Sequence, residues 1–215
     1  MIIGFAGKAA SGKTTAAKHV QQLLGDKVQV LPMASMLRRE VETFLREVGA
    51  EDRVPLLYGD QQDKLTHFDV DEQSARSCCA AWDNFISHNQ DIQDKSGRTL
   101  VSVRRILQWW GTEYRRAQDP DYWTKAWEAA LAELPDRSAH LLVDDVRFHN
   151  EVEVVQRNGG VLIRVERPGF NGANDHSSEN ALDDFNGWNM ILLNDGSLEQ
   201  FLGQVEDKVL ALLAS

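Results

Sequence analysis

The chain has 215 residues, a length that one α/β domain commonly occupies, and its 42% hydrophobic and 26% charged residues are typical of a globular fold. Its 23 Lys and Arg against 33 Asp and Glu give a net charge of −10, which argues against broad, non-specific electrostatic binding to nucleic acid or an anionic membrane. The sequence shows neither a leader-like segment nor an apolar run of roughly 18 residues, the length of a membrane span, so we expect no membrane partner. The two cysteines are adjacent and poorly placed for a structural disulfide, which fits a reducing compartment. We therefore expect a cytoplasmic protein.

The first elements alternate between strand and helix. Residues 2–6 form a short apolar run before a glycine-rich loop, and residues 27–33 predict a second strand. Residues 35–48 show a helical period that ends at Gly49. The helix between the two strands is predicted to place one apolar face inward, formed by Ala17, Val20, Leu23 and Leu24.

The middle of the chain is less regular. Residues 50–98 have scattered apolar positions, and we leave their secondary structure open. A strong helical period returns at Ser102, the candidate N-cap of a helix whose apolar side carries Trp110 and whose other side carries a polar stripe. This polar stripe consists of Arg104, Gln108, Thr112 and Arg115. Residues 121–134 predict a further helix.

The last third again alternates strands and helices. The run HLLVDDV is typical of a strand buried on both faces of a parallel sheet, and two further strands, VLIRVE and NMILLN, follow it. Ser197, with Gln200 three residues on, predicts the start of a terminal helix. This order predicts an α/β fold of three layers, in which helices flank a central parallel sheet joined by right-handed crossovers.

The stretch GKAASGKTT matches the phosphate-loop pattern G-x-x-x-x-G-K-[ST], and it lies between a predicted strand and a predicted helix, as the motif requires. Glycines let the backbone N–H groups converge on phosphate oxygens at the N-terminus of the helix. We expect Lys13 to contact the β and γ phosphates and the Thr14 hydroxyl to hold magnesium. The predicted nucleotide-binding residues of the loop are Gly7, Ala10, Ser11, Gly12, Lys13, Thr14 and Thr15.

Asp144 and Asp145 end the predicted strand HLLVDDV. A carboxylate at the carboxyl edge of a parallel strand faces the ligand crevice of such a sheet, so one of the two is expected to organise the water shell of a magnesium ion, with Asp144 as our metal candidate. The other could instead cap the following helix. Gly111, inside the middle helix, suggests a close approach by ligand or backbone, and the arginines around it either bind a second phosphorylated ligand or form a solvated face.

Taken together, these motifs resemble the deoxynucleoside monophosphate kinases of bacteriophages. The resemblance rests on the loop GKAASGKT, on SVRRILQWWGTEYRR followed by DPDYW, on VDDVRFHNEVEVVQRNGGVLIRVERPG, on DHSSE and on ILLNDGSLEQF. It covers the first fifteen residues and the chain from about residue 98 onwards. It implies transfer of the γ-phosphoryl group of ATP to a deoxynucleoside 5′-monophosphate with Mg2+, in the host cytoplasm if the protein is phage-encoded.

The resemblance also implies roles for individual residues. Lys13, Asp145 and Arg147 are the expected catalytic residues, and an arginine such as Arg147 can bridge donor and acceptor phosphates. Arg167, with Arg164 in the same basic segment, is expected near the ATP phosphates. Arg38 stands where related kinases keep an acceptor contact, although a helix-surface charge explains it equally well. The expected acceptor-site residues are Arg38, Arg104, Arg105, Gln108, Gly111, Thr112, Trp123, Asp145, Arg147 and Glu151.

We expect one kinase domain over residues 1–215, with 50–100 as an acceptor-binding insertion and 166–180 as a lid-like loop. Two other functions remain open at this point: a phosphate-loop kinase of another small metabolite, such as dephospho-coenzyme A, and a non-kinase ATPase or binding module. No nucleic-acid partner is expected, given the acidic charge. The apolar positions of the terminal helix fit either a homodimer interface or packing on the sheet of a monomer.

Overall fold

The computed structural model describes residues 1–60, 62–89, 99–136, 139–169 and 180–213. The chain divides into two compact units, one formed by Met1–Met33 with Thr124–Ser215 and the other by Ala34–Trp123. Within the described ranges, none of the helices combines the length and the apolar character that crossing a membrane requires.

The strands, in chain order, are β1 (Ile2–Ala6), β2 (Val28–Val30), β3 (His67–Asp69), β4 (Leu100–Ser102), β5 (His140–Val146), β6 (Val161–Glu166) and β7 (Met190–Leu193). The helices are α1 (Lys13–Leu24), α2 (Ser35–Glu47), α3 (Pro55–Tyr58), α4 (Glu72–Cys78), α5 (Trp82–His88), α6 (Val103–Trp109), α7 (Tyr122–Ala132), α8 (His149–Arg157), α9 (Leu198–Val205) and α10 (Ala211–Leu213). Two π-helical segments, Trp110–Arg116 and Glu206–Leu210, directly follow α6 and α9.

The first unit is built on a five-stranded sheet with the order β2-β5-β1-β6-β7, and its neighbouring strands are parallel. One hydrophobic cluster packs α1 and α9 on this sheet, and a second one contains α8 and the buried Trp127. The clusters lie on the two faces because alternate residues of a strand point to opposite sides. This confirms the predicted α/β class with helices flanking a parallel sheet.

The carboxyl end of β5 contains a local irregularity beside β1. Gly4 pairs with Val143, whereas Ala6 pairs with Val146, so β5 has one residue more than β1 over this interval. An extra residue of this kind redirects side chains and is common next to functional sites. The extra residue falls in the segment that holds Asp144 and Asp145, immediately beside the strand that leads into the phosphate loop.

The helix boundaries largely follow the predicted periods and caps. Ser102 Oγ accepts from the backbone N–H of Arg105, and Ser197 and Gln200 form the predicted reciprocal cap of α9. The inward position predicted for Leu23 is wrong, because its side chain is 47% exposed. Successive residues of a helix are turned by about 100°, so Leu24 reaches the core while Leu23 faces solvent.

The second unit has a core of its own. A short antiparallel pair, β3 with β4, accompanies helices α2 to α6. Aromatic rings fill its interior: Trp82 stacks on Phe85 with ring centroids 4.4 Å apart, and Phe44 lies 5.3 Å from both Trp82 and Trp110. Residues 62–89, whose secondary structure the sequence left open, therefore supply much of this core.

Candidate active site

The phosphate loop joins β1 to α1, and two of its glycines have backbone conformations that disfavour other residues. Gly7 has φ +142°, and a Cβ there would lie 2.3 Å from the carbonyl oxygen of Val165. Gly12 has φ +114°, and a Cβ there would lie 2.9 Å from the side-chain nitrogen of Asn194. Glycine is therefore required for both the backbone turn and the close packing of the loop against its neighbours.

The ammonium group of Lys13 lies over the phosphate loop. Its Nζ donates to the carbonyl oxygens of Gly7 at 2.6 Å and Lys8 at 2.7 Å, and the residue is only 6% exposed. The side chain is thus held at the loop, where a phosphate-loop lysine reaches the β and γ phosphates of a bound nucleotide. Thr14 and Thr15 follow in the first turn of α1 and are exposed.

Two residues distant in sequence support the loop from outside. Asn194, just after β7, donates from Nδ2 to the carbonyl oxygen of Ser11 at 2.9 Å. Arg167, just after β6, donates from Nη1 to the carbonyl oxygen of Ala10 at 3.4 Å. The predicted nucleotide contact Arg167 therefore lies at the loop. Asn194 was missed, and its only sequence signal is its position directly after the last strand, within the motif ILLNDGS.

The two aspartates of β5 have different surroundings. Asp145 Oδ1 accepts from the backbone N–H of Met33 at 2.6 Å, which ties β5 to the segment after β2. Asp144 is 8% exposed, and its buried Oδ1 has no hydrogen-bond partner among the described residues. A buried carboxylate oxygen costs free energy unless a hydrogen-bond donor or a cation compensates it. Asp144 is therefore the aspartate whose environment suits a cation.

Arg147 and Glu151 are linked through the start of α8. Glu151 Oε2 accepts from the backbone N–H groups of Arg147 at 2.7 Å and Phe148 at 3.2 Å, and Glu151 is 4% exposed. One bond satisfies the N–H group of Phe148, the N-cap of α8, and the other holds the residue before it. Glu151 thereby fixes the backbone from which the Arg147 side chain projects.

Arg147 lines a small cleft that opens to solvent beside the phosphate loop. Its remaining lining residues are Gly7, Lys8, Val146, Arg164, Leu182, Asp183 and Trp188. The first unit therefore brings the predicted residues Gly7 and Arg147 to one cleft. Arg164 also reaches it, with its guanidinium 5.3 Å from the Trp188 ring.

The predicted polar stripe of the middle helix lies in the second unit and is shorter than expected. The α-helical period ends at Trp109, and residues Trp110–Arg116 are π-helical. Because a π-helix has a different spacing, Arg115 does not continue the line of Arg104 and Gln108. The stripe prediction is wrong at that end, and Arg115 instead binds Glu40 on α2. Single π-helical turns are frequent at functional sites.

Glu40 joins several elements of the second unit and was not predicted. Its Oε2 accepts from Trp110 Nε1 and Arg115 Nε, both at 2.8 Å, and its Oε1 accepts from the Tyr122 hydroxyl at 2.6 Å. The bond to Glu40, a charged acceptor, raises the pKa of Tyr122. A single carboxylate thus fixes the π-helical segment that carries the predicted acceptor residues Gly111 and Thr112.

Gly111 and Trp123 contact each other. Trp123 Nε1 donates to the carbonyl oxygen of Gly111 at 2.9 Å, and Trp123 is 3% exposed. A Cβ on Gly111 would lie 3.1 Å from Leu37, so a larger residue there would press on a neighbour within the unit. Arg38, Arg104, Arg105, Gln108 and Thr112 are half-buried in the same unit. Base stacking by Trp123 stays a prediction.

Some predicted features lie outside the described residues. These are residues 90–98, at the end of the proposed acceptor-binding insertion, and the part of the lid-like loop from 170 to 179, including DHSSE. In the ranges that the structure does describe, we find no group of three or more His, Cys, Asp or Glu residues arranged to hold a metal ion.

Comparison with known proteins connects both units to one family. The family model described as deoxynucleotide monophosphate kinase matches residues 56–205, which is more than half of the chain. The chain belongs to the deoxynucleotide monophosphate kinase family. It is therefore a nucleotide kinase with ATP as a substrate. The phosphate loop precedes the matched range, so its assignment rests on its motif and its geometry.

Individual relatives agree with this membership. A protein of Acanthamoeba polyphaga mimivirus, whose name contains the words deoxynucleotide monophosphate kinase, is 25% identical over 217 residues, covering 95% of this kinase and 94% of the relative. The deoxynucleotide monophosphate kinase of Enterobacteria phage T4 is 29% identical over 60% of this kinase and 54% of its own length. The deoxynucleotide monophosphate kinase of Escherichia phage RB69 is 29% identical over 49% of this kinase and 43% of its own length. The kinase thus matches about half the length of these phage relatives.

Proposed function

We propose that the protein transfers the γ-phosphoryl group of ATP to a deoxynucleoside 5′-monophosphate, giving ADP and a deoxynucleoside diphosphate. The observation that carries this proposal is the cleft in which Gly7 of the phosphate loop lies with Arg147 of the DVRFHNE motif, in a member of this kinase family. Phosphoryl transfer needs in-line placement and neutralised charge more than covalent catalysis. Cations at the loop supply that neutralisation.

On the donor side, the loop backbone would cradle the triphosphate and Lys13 would neutralise its β and γ groups. Arg167, already bonded to the loop carbonyl of Ala10, would contribute a further positive charge. Arg147 is the proposed bridge between the donor and acceptor phosphates. Its backbone, held by Glu151, gives that side chain a fixed origin.

Magnesium fits the residues at the carboxyl edge of β1 and β5. Asp144 has a buried carboxylate oxygen without a hydrogen-bond partner in the described structure, and oxygen is the ligand type that Mg2+ prefers. We assign Asp144 to the water shell of the ion and Thr14 to a hydroxyl contact. When bound, the ion would withdraw negative charge from the phosphates. Asp145 instead anchors the chain after β2 through Met33.

The acceptor monophosphate would use residues that the family resemblance suggests. In the second unit these are Arg104 and Arg105 on α6, with Gln108 and Thr112 further along the same stretch, and Arg38 on α2. The half-buried Glu40 network and the Gly111–Trp123 contact would hold this segment in position. Asp145 and Glu151 keep their proposed acceptor-site roles. Because both accept hydrogen bonds from backbone N–H groups, we assign them to positioning the backbone of the site.

The remaining assignments follow from these roles. Residues 50–100 would form the acceptor-binding part and 166–180 a lid over the phosphates. The net charge of −10 disfavours nucleic acid, so free nucleotides are the proposed substrates. The phage relatives favour the host cytoplasm as the place of action. A homodimer through the terminal helix stays a proposal.

Release of ADP tests the function directly. Purified protein is mixed with ATP, Mg2+ and each of the four common deoxynucleoside monophosphates in turn, and ADP is measured. We expect release that depends on at least one monophosphate. Release that is independent of any monophosphate would indicate an ATPase, and preference for dephospho-coenzyme A would indicate the alternative metabolite kinase.

Asp144→Asn is expected to weaken the use of magnesium. Because Asn lacks the negative charge, we expect the Mg2+ concentration for half-maximal rate to rise about 10- to 100-fold, the usual cost of losing a partner around a metal site. The rate is measured over a magnesium titration at saturating ATP. Asp26→Asn, an exposed aspartate just before β2, is the matched control and should leave the titration unchanged. Equal titrations for all three proteins would contradict the assignment.

A further inference from the structure

Lys8 lies inside the phosphate loop at a position that the loop pattern leaves variable. Its Nζ is 3.2 Å from Asp183 Oδ2 and 3.3 Å from Asn180 Oδ1, both in the segment before β7. The Lys8 side chain is 26% exposed. A second cation of the loop, besides Lys13, therefore lies at the cleft and has a carboxylate as its partner.

Asp183 also faces a second cation of the cleft. Its Oδ1 is 3.9 Å from Arg164 Nη2, while Arg164 Nε lies 2.9 Å from Glu166 Oε1 and Nη1 donates to the Leu182 carbonyl. With Arg147 added, three cationic side chains line this cleft and Asp183 is the one carboxylate among its described lining residues. The lining residues thus carry three formal positive charges against the single negative charge of Asp183, while Glu166 pairs with Arg164 from outside the lining.

An exposed carboxylate such as that of Asp183 binds the cations of the cleft only weakly. Asp183 is 47% exposed, and ion pairs at exposed positions contribute little to stability. A nucleotide phosphate carries more charge and more acceptor oxygens than a carboxylate, and hydrogen bonds from ammonium or guanidinium groups to phosphate are among the stronger ones. A phosphate group entering the cleft would therefore compete successfully with Asp183 for Lys8.

We propose that Lys8 is a phosphate-binding residue of this kinase and that Asp183 is an internal anion that occupies Lys8 until a nucleotide phosphate displaces it. The inference rests on the proposed function for the identity of the ligand. The phosphate belongs either to the triphosphate of ATP or to the acceptor monophosphate, since both present the same chemistry. The two residues have opposite effects on binding: Lys8 strengthens it, and Asp183 weakens it by competition.

Binding measurements without turnover test the proposal. Dissociation constants for a non-hydrolysable ATP analogue, ADP and each deoxynucleoside monophosphate are measured by calorimetry for the wild type, Lys8→Met, Lys8→Arg and Asp183→Asn. Lys8→Met should weaken binding of at least one of them about tenfold, the scale of a lost charged hydrogen bond, and Lys8→Arg should largely restore it. Asp183→Asn should tighten binding of the same ligand about two- to fivefold.

Asp184→Asn is the matched control. Asp184 is the next residue, is exposed, and pairs with His149 at 3.0 Å instead of with Lys8. Its removal should leave every dissociation constant unchanged. The ligand whose dissociation constant changes identifies the phosphate that Lys8 binds. A change for the ATP analogue but not for ADP indicates the γ-phosphate, and a change for both indicates the β-phosphate. A change for a deoxynucleoside monophosphate indicates the acceptor phosphate.

Unchanged or weaker binding in Asp183→Asn, or unchanged binding in Lys8→Met, would overturn the proposal. Circular dichroism of each variant checks that the fold is retained. Failure of this inference is distinguishable from failure of the proposed function. If the wild type transfers phosphate and the variants have the same dissociation constants as the wild type, only the role of Lys8 and Asp183 is refuted. Variants that shift ATP binding in a protein without monophosphate-dependent turnover would refute only the kinase reaction.

Discussion

Lys13→Ala is expected to lower the rate of phosphoryl transfer by about 10²–10³-fold, the usual effect of removing one preorganised donor from a developing charge. The reason is the position of the ammonium group over the phosphate loop, where the Gly7 and Lys8 carbonyls hold it. The measurement is the steady-state rate of ADP release at saturating ATP and monophosphate. The circular dichroism spectrum should not change, because the loop backbone is also held by Asn194 and Arg167.

Lys18→Ala provides the control for this prediction. Lys18 belongs to the same helix α1, but it is exposed and five residues beyond Lys13. Its removal should leave the rate within about twofold, as expected for a surface charge away from the site. A Lys13→Ala variant that keeps the wild-type rate would show that the loop does not act in catalysis.

Trp82→Ala is expected to reduce the free energy of unfolding by about 3–5 kcal/mol, the usual cost of truncating a buried aromatic residue. Trp82 is fully buried in the second unit, where it stacks on Phe85 and lies against Phe44. Its removal would leave a cavity among rigid rings that cannot close around it. Urea denaturation followed by circular dichroism measures the change.

Tyr58→Ala is the matched control within the same unit. Tyr58 is an aromatic residue that is 58% exposed and donates its hydroxyl to Glu42. Its truncation should change the unfolding free energy by less than about 1 kcal/mol. If Trp82→Ala were equally mild, the aromatic cluster would not be the core of the second unit.

The sequence was most informative where an element was long or a motif was contiguous. The strands of the first unit, helices α1, α2 and α7, and the caps at Ser102 and Ser197 were all predictable. Each depends on local periodicity or on hydrogen bonds between residues three apart. The π-helical turn after Trp109 was not predictable, because its α-like pattern of apolar residues gives no sign of the changed spacing.

The segment between residues 50 and 89 could not be interpreted for a related reason. Its elements are short: α3 has four residues, β3 has three, and α4 and α5 have seven each. A helical or strand period needs a longer window to stand out from chance. These pieces are stabilised by the aromatic rings they share, such as Trp82 and Phe85, and that sharing exists only after folding.

By itself the sequence determined the phosphate loop, the strands of the parallel sheet and the family, because each is encoded in neighbouring residues or in motifs kept in order along the chain. Only the tertiary structure decided which aspartate has an uncompensated oxygen, that Glu40 fixes the π-helical segment, and that Lys8 meets Asp183. Lys8 and Asp183 are 175 residues apart, and Asn194 is 183 residues from Ser11. Such pairs depend on how the strands are ordered in the sheet, and side-chain patterns along the chain do not specify that order.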